Sequence, residues 1–391
     1  MIKTATMFTY ELDDAERSLD ELKEQLQRQM PLMKNTVGIL VCDPEFVKTG
    51  VVKTVCARLP FPIAGATSMA QSTGGETGRL MLTLMVLTSD DVFFAVGVSK
   101  ADKKENTFDD AGRSYKEAAS RLGAKPEMVL LFTPFDLEIP GNFYVDAFSR
   151  LCPDTPVFGS FAMDDLPKFA DCLTIMNGSA YRDAVSFVLI GGNVAPRFFT
   201  ATIPEEKLAR YRGKITKASG NLLMQVNGEC ALKYFEGHGL AKDGQLAPGL
   251  RFLPLVMDRE KREGANEELI RNEVSYFDQS GFAVCGAVLG AHSTFEAVVF
   301  ASEYILGTSK SMIKKINAEP GIQALLMFSC IVRRLSLREE PLKELYLIAE
   351  TVSEDTPYMI SYTGGEICPV PIAGDKLKNC FHSYALIACI L

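Results

Sequence analysis

The sequence predicts an α/β protein with mixed sheets, arranged as two domains built from a repeated strand–helix–strand–hairpin unit. Three observations carry this expectation. Short apolar runs bounded by turn residues alternate with stretches of helical periodicity, the pattern that lays helices on sheets. The order strand, helix, strand, Gly-small loop, hairpin occurs twice in the N-terminal half, with Gly65-Ala66 and Gly159-Ser160 in matching places, as an internal duplication would leave them. The segment 324–366 runs through strand, helix, strand and Gly-rich loop once more, though more weakly. Ligands of open α/β sheets bind beyond the carboxyl ends of strands, so the expected ligand cleft lies at these strand ends.

Taken in order, residues 12–30 place Leu19, Leu22 and Leu26 on one face, so 1–30 is expected to be an N-terminal amphipathic helix packed on the first domain. A strand at 37–42 and a helical stretch to Arg58 lead into the loop GATSMAQSTGGETG. Strands at 79–88 and 91–98, joined through Ser89-Asp90-Asp91, read as a hairpin, and a helix follows at 108–122. The pattern then recurs: strand 128–133, helix 141–151, strand 156–159, the loop GSFAMDD, and strands near 171–176 and 183–190 flanking the turn pair Asn177-Gly178. This gives a first domain at 31–204 and a polar linker at 205–214.

The second domain, 215–391, opens with strands near 213–218 and 221–226, a short helix from Glu229 and a loop carrying Gly237, Gly239, Gly244 and Gly249. Strands near 251–257, 269–277, 281–289 and 294–300 follow, then a helix at 303–318. The stretch ALLMFSCIVRR supplies a buried strand that stops on Ser329 and Cys330, with Arg333 and Arg334 directly after it. A helix at 338–352, a strand at 358–363, the loop TGGEICPVPIAGD and a last strand at 381–391 complete the chain.

Composition narrows the function. With 391 residues, 47% of them hydrophobic, the chain can build ordinary globular cores. A net charge of −8 and the lack of a long basic run argue against nucleic-acid binding. The ten Cys form no CxxC pair and the three His form no HExxH, so no metal is expected. Neither Gly-small loop has phosphate-loop spacing, and no cofactor is expected. The start MIKTATMFTYELDD lacks the order of a signal peptide, and no apolar span approaches the ~20 residues of a membrane helix. A reducing cytoplasm is the expected location, with the thiols free.

The chemistry concentrates at the strand ends of the second domain: Cys330, Arg333, Gly364, Gly365, Glu366, His382 and Ser383. An Arg grips a carboxylate with a bidentate fork, and a Glu accepts from an ammonium group, so Arg333 and Glu366 across one pocket would suit a zwitterion such as an amino acid. Gly65, Ser68, Gly159 and Asp164 are the expected lining from the first domain. Replacing Arg333 with Ala is then expected to abolish ligand-dependent stabilisation and leave the fold intact. Plainer readings stand beside these: a Cys is most often a small buried apolar residue, an Arg after a strand a solvated charge, and both Gly loops simple tight turns. Two other functions are open, an enzyme using Cys330 as a nucleophile activated by His382, and a scaffold recruiting a partner through its N-terminal helix.

The chain resembles the FIST family, bacterial and archaeal sensory proteins with paired FIST N and FIST C domains. The resemblance is carried by VGILVCDPEF, FPIAGATS, TPVFGSFAMDD and IMNGSAYRDAVSFVLIGG, then by FSCIVRR, YTGGEICPV and FHSYALIACIL, and it covers nearly the whole chain. The order of these motifs, rather than any one, makes the match specific. The chain departs from the family where Ser383 replaces the usual Asn and Ala385 the usual Thr or Ser. The resemblance implies small-ligand sensing, of amino acids or related polar molecules, with Cys330, Arg333, Gly365, Glu366 and His382 as site residues. Because the two domains use nearly all of the sequence, output is expected to pass to a separate signalling protein.

Overall fold

A computed structural model of the chain describes residues 1–100, 107–136, 139–165, 169–202, 211–246, 252–260, 268–289, 294–299, 302–372 and 376–391. It is built from three repeats of one unit and an inserted sheet. The first repeat runs β1 (Lys3–Thr9), α1 (Ala15–Gln29), β2 (Asn35–Cys42), α2 (Glu45–Lys48), α3 (Val51–Arg58), β3 (Ile63–Thr67), a hairpin of β4 (Gln71–Thr73) and β5 (Glu76–Gly78), and β6 (Leu82–Ser89). The second runs β7 (Val92–Lys100), α4 (Thr107–Leu122), β8 (Pro126–Thr133), α5 (Asn142–Leu151), β9 (Val157–Phe161), a hairpin of β10 (Thr174–Met176) and β11 (Ser179–Tyr181), and β12 (Ala184–Gly192). The third opens with β13 (Arg197–Ala201) and is then interrupted.

The insertion holds β14 (Tyr211–Ser219), β15 (Leu222–Val226), β16 (Glu229–Cys230), α6 (Ala231–Gly237), β17 (Ala241–Lys242), β18 (Gln245–Leu246), β19 (Phe252–Glu260), β20 (Glu268–Phe277), β21 (Ala283–Cys285) and β22 (Thr294–Val299). The third repeat resumes with α7 (Ser302–Ile316), β23 (Leu325–Cys330), α8 (Ile331–Ser336), α9 (Lys343–Thr351) and β24 (Tyr358–Thr363). A hairpin of β25 (Glu366–Ile372) and β26 (Lys376–His382) and the last strand, β27 (Leu386–Ile390), close it.

Among the described residues each repeat forms the body of one six-stranded sheet, with orders β1-β6-β2-β3, β7-β12-β8-β9 and β13-β27-β23-β24. The pairs β2–β3, β8–β9 and β23–β24 are parallel, and each has a helical crossover, as parallel pairing requires. The last two strands of every sheet come from another repeat. The β10–β11 hairpin pairs with β3, β25–β26 with β9, and β4–β5 with β24. The exchange is cyclic, so each repeat lends its hairpin to one neighbour and borrows from the other. Thr67, Phe161 and Tyr362 hold equivalent places in it. Their amides donate to Leu173 O at 2.8 Å, Gly365 O at 3.0 Å and Ala70 O at 2.9 Å. Their carbonyls accept from Met163 N at 2.9 Å, Gly364 N at 3.1 Å and Ser68 Oγ at 2.7 Å.

Between the sheets lies one apolar core, where Phe328 meets Phe132 and Phe158 at centroid distances of 6.1 and 5.5 Å and the first repeat adds Ile39, Val41 and Ala66. Helices cover the outer faces. Asp14 caps α1 by accepting from Glu16 N and Arg17 N, and Leu19, Leu22 and Leu26 are buried in a core shared with α3. Gly65 and Gly159 serve a close approach of backbones: an added Cβ would lie 1.7 Å from Leu40 O and 1.8 Å from Leu131 O.

Several expectations change. The strands at 79–88 and 91–98 do not pair, because β6 already has β1 and β2 on its two edges and β7 is left to begin the next sheet. Asn177 and Gly178, with φ of 48° and 83°, close β10–β11, while β12 inserts between β7 and β8. The segment 1–30 holds the edge strand β1 before its helix. A helix begins at Ile331, directly after β23 and ahead of the expected start at 338. The loops GATSMAQSTGGETG and TGGEICPVPIAGD contain the exchanged hairpins β4–β5 and β25–β26. Residues 205–210 of the expected linker and Gly249 lie outside the described residues, and 211–214 already belong to β14.

The exchange makes a prediction about fragments. A chain of residues 1–202 leaves β9 without β25, and a chain of residues 211–391 leaves β24 without β4, each an unpaired sheet edge. Neither fragment alone should show a cooperative urea transition, and mixing should restore one. Independent cooperative unfolding of either would contradict the interlocked topology.

Candidate functional site

The carboxyl end of β23 passes without a loop into α8, so Ser329, Cys330 and Arg333 are held between strand and helix. Arg333 and Glu344 are both 0% exposed and form an ion pair. Arg333 Nη2 and Nε donate to Glu344 Oε1 at 2.6 and 3.1 Å, and Nη2 also donates to Ser309 Oγ at 2.9 Å and Ile305 O at 3.2 Å. Glu344 Oε2 accepts from Ser329 Oγ at 2.7 Å. Burial acts to lower the guanidinium pKa, but the Glu344 charge outweighs it and holds the value above the ordinary one. The fork expected to grip a ligand thus holds an internal carboxylate, pinning α7, α8 and α9 to β23.

On the core-facing side of the same strand ends, Glu366 opens β25, opposite Ser160 of β9 and His382 of β26. It is fully buried. Its Oε1 accepts from Thr363 Oγ1 at 3.0 Å, and among the described residues its Oε2 has no hydrogen-bond partner. Burial pushes its carboxyl well above the ordinary value; Thr363, the Ala385 amide and the Arg333 charge oppose this, and Glu273 adds to it. Cys330 is buried beside it, and its thiol is pushed well up by burial, then by Glu366 and Glu273. That is the reverse of thiolate activation, which needs positive neighbours. His382 Nε2 lies 3.0 Å from Cys368 O.

Glu273 reaches this cluster from β20 of the inserted sheet. Burial raises its carboxyl, the Ser383 hydroxyl beside it works the other way, and among the described residues its Oε2 has no hydrogen-bond partner. It packs so closely on Gly286 that a Cβ there would lie 2.3 Å from Glu273 Oε1. A narrow cleft runs from Glu273 between insertion and repeats, lined also by Phe135, Asp136, Phe161, Gly364 and Phe381. Sequence reasoning missed Glu273. The available signal was a carboxylate inside the strand run NEVSYF, but its partner is far away in sequence.

The remaining candidates have structural contacts of their own. Ser68 donates from Oγ to Tyr362 O, binding the first repeat to the third. Gly365 lies under Phe381, where an added Cβ would meet Cε2 at 2.6 Å. Asp164 is buried and accepts from the Asp171 amide, locking its own loop. The structure therefore brings together Cys330, Glu366 and the newly found Glu273, with Gly365 next to Gly364 of the cleft lining and His382 on the adjacent strand. Gly65 and Gly159 lie within their sheets, and Asp164 serves its turn.

Two predictions follow from these contacts. Arg333→Ala would leave Glu344 buried without its counter-charge, so unfolding in urea should show a loss of about 3–5 kcal/mol, against the expectation of an intact fold. A loss near zero would contradict the clamp. Glu366 has a folded-state pKa above its ordinary 4.5, so its contribution to stability is complete below that value and is lost as pH rises through the higher folded value. Glu366→Gln should flatten the decline in stability from acid to mildly alkaline pH, read from urea midpoints, and be the more stable form at the alkaline end. An unchanged slope would contradict the burial of an acid there.

Comparison with known proteins supplies the family. A model of the FIST N domain matches residues 36–229, and a model of the FIST C domain matches residues 229–369. No curated protein matches the chain. Among solved structures, the cyanuric acid hydrolase of A. caulinodans aligns over 100% of this chain and 99% of its own, at 9% identity and a TM-score of 0.32, which says nothing about activity. Among the described residues no helix is long and apolar enough to cross a membrane. With both domain models matched in tandem over most of its length, the chain belongs to the FIST family of sensory domains.

Proposed function

We propose that the chain is a small-ligand sensor whose ligand presents a cationic group, such as the ammonium of an amino acid, to Glu366 and Glu273. One observation carries the reading: buried Glu366 and half-buried Glu273 come from different parts of the fold, Glu273 lines a cleft and its charge acts on Glu366, and each has an Oε2 without a hydrogen-bond partner among the described residues. Buried acids in that position stay protonated at a cost in hydrogen bonds, and an incoming cation lets them ionise. Phe135, Phe161 and Phe381 would shelter the apolar part of the ligand and exclude water.

The two acids belong to different bodies, Glu366 to the repeats and Glu273 to the insertion. A ligand bridging them would stabilise one position of the insertion against the repeats, which is the differential contact that signalling needs. The signal would then pass to a separate output protein in the cytoplasm. Arg333 supports this site from behind through its charge on Glu366. A nucleophilic Cys330 is the weaker reading, since its acidic neighbours keep the thiol protonated.

A thermal-shift screen against amines, amino acids and organic acids tests the proposal. A cationic or zwitterionic ligand at about 100 times its Kd should add about 2.7 kcal/mol of apparent stability. Glu366→Gln and Glu273→Gln should each remove the shift. A response confined to organic acids, or one retained in both variants, would overturn it.

A further inference from the structure

β1 is an edge strand: β6 pairs with one side of it, and among the described residues no strand pairs with the other. Its residues 4–9, Thr-Ala-Thr-Met-Phe-Thr, hold no charge, no Pro and no Gly, and their register on β6 runs without a bulge. Charges, prolines and bulges are the usual protection of an edge, and short uncharged runs of high strand propensity are the ones that pair with other chains. Some other feature must keep this edge from doing so.

Two glutamines of α1 close it. Phe8 N donates to Gln25 Oε1 at 3.1 Å, and Gln25 Nε2 donates to Phe8 O at 2.7 Å. One step along, Thr6 N donates to Gln29 Oε1 at 3.0 Å, and Gln29 Nε2 donates to Thr6 O at 2.8 Å. Each carboxamide makes the two bonds that a residue of a neighbouring strand would make. The spacings agree: four helical residues rise about 6 Å and two strand residues about 6.7 Å, so side chains four apart on α1 meet residues two apart on β1. Docking of α1 does not need these bonds, since Leu19, Leu22 and Leu26 already bury its inner face. Gln29 is exposed, where water could serve the same backbone groups. The second repeat is treated differently: Ser114 and Arg121 of α4 donate to Val98 O and Val96 O of β7, at 2.8 and 3.0 Å, and so answer carbonyls alone.

From this geometry we infer that Gln25 and Gln29 stand in for a partner strand and keep β1 from pairing with β1 of a second copy of this chain. A second copy is the occupant that fits. Antiparallel pairing of two β1 strands about a two-fold axis sets the same uncharged run against itself, with no like charges opposed, and would continue the first sheet through both copies. The glutamines are the specificity element of that edge. The inference concerns the outer rim of the first repeat and is independent of the cation site proposed above.

Size-exclusion chromatography with light scattering, run over a range of protein concentrations, tests it. The mass of the wild type should not change with concentration. The double variant Gln25→Ala, Gln29→Ala should gain a species of twice that mass that grows with concentration. Gln29→Ala alone, a change at an exposed position that the fold should tolerate, should gain the same species at higher concentration. Adding Thr6→Pro and Phe8→Pro to the double variant removes the two amides that face away from β6 while leaving the bonds to β6, and should restore the wild-type mass. Gln27→Ala should behave as the wild type. Glutamine variants that keep the wild-type mass would make the two side chains simple anchors of α1. A heavier species that persists with both prolines would trace association to another surface or to a loosened helix. Either result, or a wild type whose mass rises in the same way, would overturn the inference.

Discussion

The structure depends on the cyclic exchange of hairpins. No repeat can finish its own sheet, because the strand beside β3, β9 or β24 is always supplied by another repeat. Sheet edges left open are costly and prone to aberrant pairing, so closure commits the three repeats to one cooperative body. It also brings the carboxyl ends of three parallel strand pairs to one region. The hydrogen bonds of Thr67, Phe161 and Tyr362 hold that region together, and whatever chemistry the chain performs has a rigid frame there.

Into this frame the third repeat places its charges, and their partners decide what each can do. Arg333 and Glu344 satisfy one another and hold three helices to one strand; such a pair sets geometry rather than recruits a ligand. Glu366 is close by but has one oxygen satisfied and, among the described residues, one not, and the insertion brings to it Glu273, whose Oε2 also lacks a partner among those residues. Two adjacent arginines differ as well, one spent on Glu344 and the other with a buried Nε that holds no hydrogen bond among the described residues.

Much of the fold was legible because apolar runs such as LLMF in β23 and the helical face of Leu19, Leu22 and Leu26 record burial locally. The exchanged hairpin β4–β5 was not, because QST and ETG are short and polar and pair only with each other and with β24. The same limit applied to the site. Cys330, Gly365 and Glu366 stood out at a strand end, but the role of Arg333 turns on Glu344, eleven residues further on in another helix. Glu273 carries no local mark at all; its meaning comes from the docking of the insertion.

The central claim is that Glu366 waits as a buried neutral acid until a cation arrives. Difference infrared spectroscopy of the wild type against Glu366→Gln, at neutral pH and without ligand, tests this most directly. The account predicts a protonated-carboxyl absorption in the wild type that the variant lacks. A wild-type spectrum in which every carboxyl is ionised, with no such difference, would contradict it.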